Sequence, residues 1–492
     1  MNVLAIGENM SIDTKIHLLK NRRTKIVATL GPATKEPGMI RKLIRTGVNV
    51  FRLNMSHGDH ASHRTTYNHI RTIADELKVP VAILADLCGP KIRTGKFRDG
   101  QIELITDSKI TVTTRDVIGE PGLVPSQYIA LAEDVKPGNR ILLNDGALEL
   151  SVDSVAETEI TCTVIHGGIL KNHKGINLPG VNVSAPSLTE KDRVDAGFVL
   201  DLGVDFVALS FVRTADDISK LKSLIKKSGK DVAVIAKIEK PEALQNASAI
   251  LDVADGIMVA RGDLGVELKP EEVPIAQSQL IDLAKAKFKP VIVATQMLES
   301  MIENARPTRA EVTDISYAVT LGTDAVMLSA ETAVGAFPIE AVNMMDRIAR
   351  QTESYLWQSG AYGNPANIKS SLPVSIWDAI SDTSATLAKD LMVRAILVIS
   401  QSGMSAATVS SARPAAPVVV ITGHPHICRR MALFWSIIPV LSEDAGSMNP
   451  NELARQVAVE LKLAGKGDYI LMVRGFHSNP EQNIPSVTVL TV

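Results

Sequence analysis

The chain has 492 residues, 45% hydrophobic and 22% charged, an ordinary globular balance whose length implies about two to four domains. Lys plus Arg number 52 against 54 Asp plus Glu, so a formal net charge of -2 excludes a nucleic-acid surface and leaves only local basic clusters for phosphorylated small molecules. Cys88, Cys162 and Cys428 are too far apart for a zinc site or a disulfide framework and point to a reducing cytoplasm, while the N-terminal MNVLAIGENMSIDTK and the lack of an apolar run of about 18 residues predict neither a signal peptide nor a membrane span.

Short apolar, β-branched runs occur at Lys25–Leu30, Val48–Leu53 and Val81–Ala85, then at Phe206–Leu209, Val232–Lys237, Gly256–Ala260, Pro290–Thr295 and Asp324–Leu328. Near-continuous apolar strands imply burial on both faces, as in a parallel sheet. Helical periodicity lies between them at Gly38–Thr46, Ala215–Lys227, Pro241–Leu251, Ile275–Lys287 and Ile339–Tyr355, where Ile339, Val342, Met345 and Ile348 share one face. This alternation predicts an α/β chain built on a (β/α)8 TIM barrel, with an open doubly wound sheet as the alternative.

From about Gly95 to Pro179 the helical period vanishes. KITVTT, RILLND, LELSV and EITCTVI read as short antiparallel strands with Asp-Gly and Pro-Gly turns, a small β domain inserted in a barrel loop. A polar linker, Gln358–Pro373, leads to a further α/β domain with strands near Ala395–Ile399, Pro417–Ile421, Ile437–Val440, Tyr469–Val473 and Ser486–Leu490. The expected organisation is a discontinuous barrel at 1–94 and 180–357, a β lid at 95–179 and a C-terminal domain at 358–492.

Polar residues cluster just after the eight runs: Thr29, Gly31 and Pro32; Arg52, Asn54, Ser56 and His57; Asp86, Lys91 and Arg93; Ser210 and Arg213; Lys237 and Glu239; Arg261, Gly262 and Asp263; Thr295 and Gln296; Ser329 and Glu331. Both folds place their sites at these strand ends. Lys237 and Glu239 are two apart and so point the same way on an extended strand, as do Arg52, Asn54 and Ser56. Two carboxylates, Glu239 and Asp263, on neighbouring strands suit magnesium completed by substrate oxygens and water. Arg261–Gly265 offers a Gly-rich turn whose amides suit an anion. Singly, each has a plainer reading: strand-end lysines reach water, exposed acids solvate, Gly262 and Gly265 make turns, and Cys88 packs. The conjunction at successive strand ends points to a polyanionic substrate held through a divalent cation.

TKIVATLGPAT, NVFRLNMSHG, ADLCGPKIRTG, KGINLPG, IAKIEKPEAL, IMVARGDLGVE, ATQMLESMIENARPTRAEVTD and DAVMLSAETAVG follow one another over about residues 22 to 350, and in that order they resemble the motifs of pyruvate kinases. SQSGMSAATVSSARPAAPVVVIT is similar to the same family's C-terminal domain, less closely. The resemblance implies transfer of a phosphoryl group from phosphoenolpyruvate to ADP, giving pyruvate and ATP, in a cytoplasmic, magnesium-dependent homotetramer with manganese able to substitute. It implies magnesium on Glu239 and Asp263. Lys237 would contact the transferring phosphoryl group, Arg52 would also contact phosphoenolpyruvate, and the amides of Gly262 and Asp263, with Thr295, would fix the substrate carboxylate. Asn54, Ser56, His57, Arg93 and Lys174 would line the nucleotide site, and Ser329 with Thr295 would deliver a proton through water.

Two departures matter. Many members carry Thr-Lys-Gly-Pro-Glu after the strand-three Asp and bind potassium at positions matching Asn54, Ser56, Asp86 and Leu87; here Leu87-Cys88-Gly89-Pro90-Lys91 puts a cation at the Glu position, so Lys91 is expected to replace potassium. The effector loop Ser400, Ser402, Gly403 and Ser405 has Gln401 where members activated by fructose bisphosphate often have Lys, and Gly475–Pro480 lacks their Gly-rich string, so a monophosphorylated sugar or nucleotide is expected instead. A lyase or aldolase using the same acids is the second reading, opposed by Arg93, Lys174 and the lid; a non-catalytic binding protein is the third, opposed by Lys237, Glu239, Asp263 and Thr295 together.

Overall fold

A computed structural model describes residues 22–363, 373–476 and 484–492, so parts of the N-terminus, of the linker and of the Gly475–Pro480 loop lie outside the described residues. Eight strands form one closed parallel barrel: β1 (Lys25–Thr29), β2 (Val50–Asn54), β3 (Ala82–Asp86), β4 (Phe206–Leu209), β5 (Ala233–Ile238), β6 (Gly256–Ala260), β7 (Val291–Ala294) and β8 (Ala325–Leu328). β1 closes the ring by pairing with β8, Lys25 opposite Ala325. That closure excludes the open doubly wound sheet. The apolar strand sequences follow from burial on both faces. Val27, Val50, Leu84, Phe206, Ile235, Met258, Ile292 and Met327 fill the inside, while Ile26, Phe51, Ile83, Val207 and Val234 pack outward against the helices.

Local sequence starts and stops the helices. Pro37–Thr46 begins on Pro and ends at Gly47, whose φ of 114° few other residues tolerate. Asp59, Thr189 and Thr308 each cap a helix reciprocally with the residue three places on. The reading of one helix over Pro241–Leu251 is corrected. Two short helices, Pro241–Gln245 and Ala247–Val253, meet at Asn246, whose side chain donates instead to the Arg213 carbonyl at 3.0 Å. Arg261–Glu267, expected as a Gly-rich turn, is also a short helix, because the chain coils directly at the end of β6.

The chain leaves the barrel after β3 and returns at the helix Glu190–Leu202. Between them a six-stranded sheet and a two-stranded ribbon share one core that includes Val112, Leu143, Leu150, Val164 and Leu170. The turn at Asn144, Asp145 and Gly146 has positive φ throughout and lies over the barrel, where a Cβ on Gly146 would sit 3.7 Å from the Val266 side chain.

The C-terminal sheet comprises β9 (Ile396–Ile399), β10 (Val418–Thr422), β11 (Ile437–Leu441), β12 (Tyr469–Arg474) and β13 (Ser486–Thr491), in the order β11-β10-β9-β12-β13. Only β13 runs antiparallel. Leu433 packs with the barrel's inner core at its base, the Trp435 N–H donates to Asp324 Oδ1 at 2.9 Å, and Arg429 pairs with Asp205 at 2.8 Å. Among the described residues no helix is long and apolar enough to cross a membrane.

Candidate active site

The strand register sets the site. Thr29 lies opposite Arg52, and Asn54 opposite Asp86, so the C-terminal ends of β1 to β3 present their polar residues at one level. Arg52 Nε and Nη2 each reach Asp86 Oδ2 at 2.7 Å, and Nη1 donates to Thr29 Oγ1 at 3.0 Å. Across the barrel mouth, Lys237 Nζ lies 2.8 Å from Glu239 Oε1 and 3.4 Å from Asp86 Oδ1, and donates to Ser210 Oγ at 2.7 Å. The two-residue spacing thus does place Lys237 and Glu239 side by side. The other Glu239 oxygen, Oε2, accepts from the Phe211 N–H at 2.7 Å.

Burial governs the charges here. Burial and, less strongly, Arg52 depress the Lys237 ammonium, but Asp86 and Glu239 outweigh them and hold the group well above its usual range. Burial raises the Glu239 carboxyl, Lys237 offsets part of that, and the nearby Asp263 raises it again. Burial would also raise Asp86, but Lys237 and then Arg52 hold it below its usual value. Asp86 Oδ1 is buried without a hydrogen bond. The mouth therefore carries a fixed cation flanked by acids, and Asp263 adds to the burial that raises Glu239. Among the described residues no group of three or more His, Cys, Asp or Glu is arranged to hold a metal.

Thr295, at φ 71°, closes the other side of the mouth; its Oγ1 accepts from the Gly262 N–H at 2.7 Å. That amide, expected to face substrate, is turned onto Thr295. Arg261, grouped by sequence with the charged mouth, is a brace: it pairs with Asp314 at 2.6 Å and donates to the Thr295 carbonyl at 2.8 Å. Glu331 is likewise internal, accepting from the Leu298 N–H at 3.1 Å and the Ser329 N–H at 2.7 Å, with its carboxyl raised by burial. Ser329 itself stands at the end of β8.

The β2 loop carries Asn54, Ser56 and His57; the Ser56 N–H donates to Asn54 Oδ1 at 3.1 Å. Burial, then Lys91, Arg93 and Arg52, lower the His57 pKa, so these three cations all act on one point of the loop. Arg93 and Lys174 lie at the lid's base, where Arg93 bridges to Gly175 and Lys174 to Thr94. Between lid and barrel is a cleft whose walls include Lys91, Asp145, Asn177, Arg213, Lys240 and Asp263. The Leu87 carbonyl, named as a potassium position, accepts from Ser210 Oγ at 2.7 Å. Ser400, Ser402, Gly403 and Ser405 belong to the other domain, where Ser400 Oγ accepts from the Gly403 N–H at 2.9 Å ahead of the helix Met404–Ser411. Phe211 was missed: its contribution is a backbone amide, which leaves no side-chain signal.

A closed parallel barrel with a charged cluster at its strand ends and a lid above it defines a barrel enzyme that handles anionic substrates with a cation. The chain matches the model of the pyruvate kinase barrel domain over residues 21–342 and that of the pyruvate kinase alpha/beta domain over 378–488. It is 47% identical to pyruvate kinase 2 of Synechocystis sp. over 460 residues, 92% of this chain and 76% of that one. It is 42% identical to a Clostridium perfringens pyruvate kinase over 466 residues, 92% of this chain and 96% of that one. The solved structure of a pyruvate kinase from Cryptosporidium parvum superposes with a TM-score of 0.87 at 34% identity, covering 97% of both chains. The chain belongs to the pyruvate kinase family and is a phosphotransferase; phosphoenolpyruvate, ADP, ATP and pyruvate are its substrates and products, and the family is metal-dependent.

Proposed function

We propose that Lys237, Arg52, Glu239, Asp263 and Thr295 carry the pyruvate kinase reaction at the barrel mouth, with magnesium as the cation and manganese able to replace it. The observation that carries this reading is the 2.8 Å approach of Lys237 Nζ to Glu239 Oε1 while Asp263 acts on both. Phosphoryl transfer leaves a protein mainly positioning and charge stabilisation to supply. Lys237, kept charged by its acids, would present its ammonium to the phosphoryl oxygens as charge spreads over them. Arg52, fixed by Asp86 and Thr29, would hold the same group from the opposite side. Glu239 and Asp263 would hold the cation, which would supply positive charge against the phosphoryl group and the enolate. Thr295 and the Gly262 and Asp263 amides would hold the carboxylate of phosphoenolpyruvate, which requires the Gly262 N–H to turn from Thr295. Thr295 and Ser329 would hold the water that protonates the enolate carbon. Asn54, Ser56, His57, Arg93 and Lys174 would seat the nucleotide under the lid, whose closure excludes water.

Lys91 would supply the positive charge that potassium gives many relatives beside Asn54, Ser56, Asp86 and Leu87. Ser400, Ser402, Gly403 and Ser405 would receive a monophosphorylated sugar or nucleotide. A cytoplasmic homotetramer with domains at 1–94 plus 180–357, 95–179 and 358–492 completes the proposal. Its test is a magnesium titration of pyruvate formation. Glu239→Gln and Asp263→Asn should each need more magnesium and turn over more slowly, because each removes an anionic oxygen. Titrations that overlay the wild type would place the metal elsewhere.

A further inference from the structure

One residue at the end of β4 faces two ways. The Phe211 N–H donates to Glu239 Oε2, and the Phe211 carbonyl accepts from Ser187 Oγ, both at 2.7 Å. Ser187 is 1% exposed and lies in the segment by which the chain leaves the lid, just ahead of the helix Glu190–Leu202. Arg213 grips that segment twice more, donating to the Val183 carbonyl and, at 3.0 Å, to the Ala185 carbonyl. The segment entering the lid abuts the same point: a Cβ on Gly89 would lie 2.7 Å from the Phe211 ring. Phe211 itself sits at φ 55°, a left-handed conformation that a bulky residue keeps only while its surroundings hold it.

We infer that Ser187 and Arg213 are positioning residues that couple the exit hinge of the lid to the Glu239 carboxylate through the Phe211 backbone. The inference rests on the reading of Glu239 as a cation ligand. When the exit segment shifts as the lid opens, Ser187 releases or drags the Phe211 carbonyl. The strained backbone relaxes, and the N–H that orients Oε2 turns with it. Linkage makes the effect reciprocal: a cation that favours the seated Glu239 also favours the seated hinge, by the same factor.

The test uses Mn²⁺ alone as probe on the full chain, with free Mn²⁺ read by electron paramagnetic resonance and hinge mobility by hydrogen exchange over residues 183–189. Ser187→Ala should weaken Mn²⁺ binding by about three- to tenfold, the scale of one buried hydrogen bond. Ser187→Thr, which keeps the hydroxyl, should return affinity to near the wild-type value. Mn²⁺ should slow exchange in the hinge of the wild type and not in that of Ser187→Ala. Should Ser187→Ala fail to fold, Arg213→Met, which removes the parallel grip, is expected to weaken binding in the same direction. Wild-type affinity in whichever of these two variants folds overturns the coupling, as does a Ser187→Thr protein as weak as Ser187→Ala. Glu239→Gln separates the two ideas. If it binds Mn²⁺ like the wild type, the metal assignment falls and the coupling with it. If it binds weakly while Ser187→Ala binds normally, only the coupling falls.

Discussion

Lys237 Nζ touches Glu239 and Ser210 and lies near Asp86, so its charge is fixed in place before any substrate arrives. A preorganised cation of this kind acts where charge develops, not on ground-state binding. Lys237→Met should therefore lower kcat by roughly a thousandfold while phosphoenolpyruvate binding falls much less. Steady-state kinetics and a direct binding titration check this; a tenth of wild-type kcat retained would remove the role. Lys91 carries a second expectation. Activity in tetramethylammonium buffer should be nearly the same with and without potassium chloride at matched ionic strength, and Lys91→Glu should acquire potassium activation. Strong potassium activation of the wild type would show that the ion, not the ammonium, organises the loop. The side-chain chemistry at this scale was legible, because charged residues after apolar runs stand out in sequence. What was not legible was which of them brace the backbone. Arg261 and Glu331 look catalytic in a list of strand ends, yet both are spent on holding neighbouring loops, and the Gly262 amide is spent on Thr295.

At the scale of elements, double burial writes the barrel strands into the sequence as apolar runs, and the capping residues Asp59, Thr189 and Thr308 mark helix starts. The break at Asn246 escaped because its cause is tertiary, a hydrogen bond to the Arg213 carbonyl. The base of the barrel escaped likewise: nothing local says that Leu433, in a distant domain, completes a core with Val27, Val50 and Phe206. Leu433, 1% exposed, fills the end of that core. Leu433→Ala should destabilise the protein by about 2–5 kcal/mol, the range for deleting a buried leucine. Denaturant unfolding checks the magnitude, and hydrogen exchange at β1 should report loosening there first. A loss under about 0.5 kcal/mol, typical of surface positions, would mean that the domain packs without relying on this plug.

For the whole molecule, Lys25 joins barrel and C-terminal domain through a 2.7 Å hydrogen bond from Nζ to the Ile437 carbonyl. Burial, then the nearby Arg22, pull its pKa down to about 7 from 10.5, against the opposing pull of Glu353 and Asp324. The folded pKa lies below the unfolded one, so folding releases a proton between those two values. Stability from this group therefore rises with pH across that window and is lowest below about 7. Lys25→Met removes the penalty: it should gain melting temperature over the wild type at pH 6.5, with the gap narrowing toward pH 9.5. Parallel curves would deny Lys25 that role.

The lid, the barrel mouth and the Glu239 and Asp263 carboxylates make one claim about the molecule, that phosphoenolpyruvate hands its phosphoryl group to ADP at Lys237, Glu239 and Asp263. The most direct measurement follows pyruvate and ATP together in one reaction of the purified chain with phosphoenolpyruvate and ADP. One ATP should appear for each pyruvate, both should stop when a chelator removes the divalent cation, and both should resume on adding magnesium. Pyruvate formed without ATP, or turnover that continues at full rate in the chelator, would contradict the account.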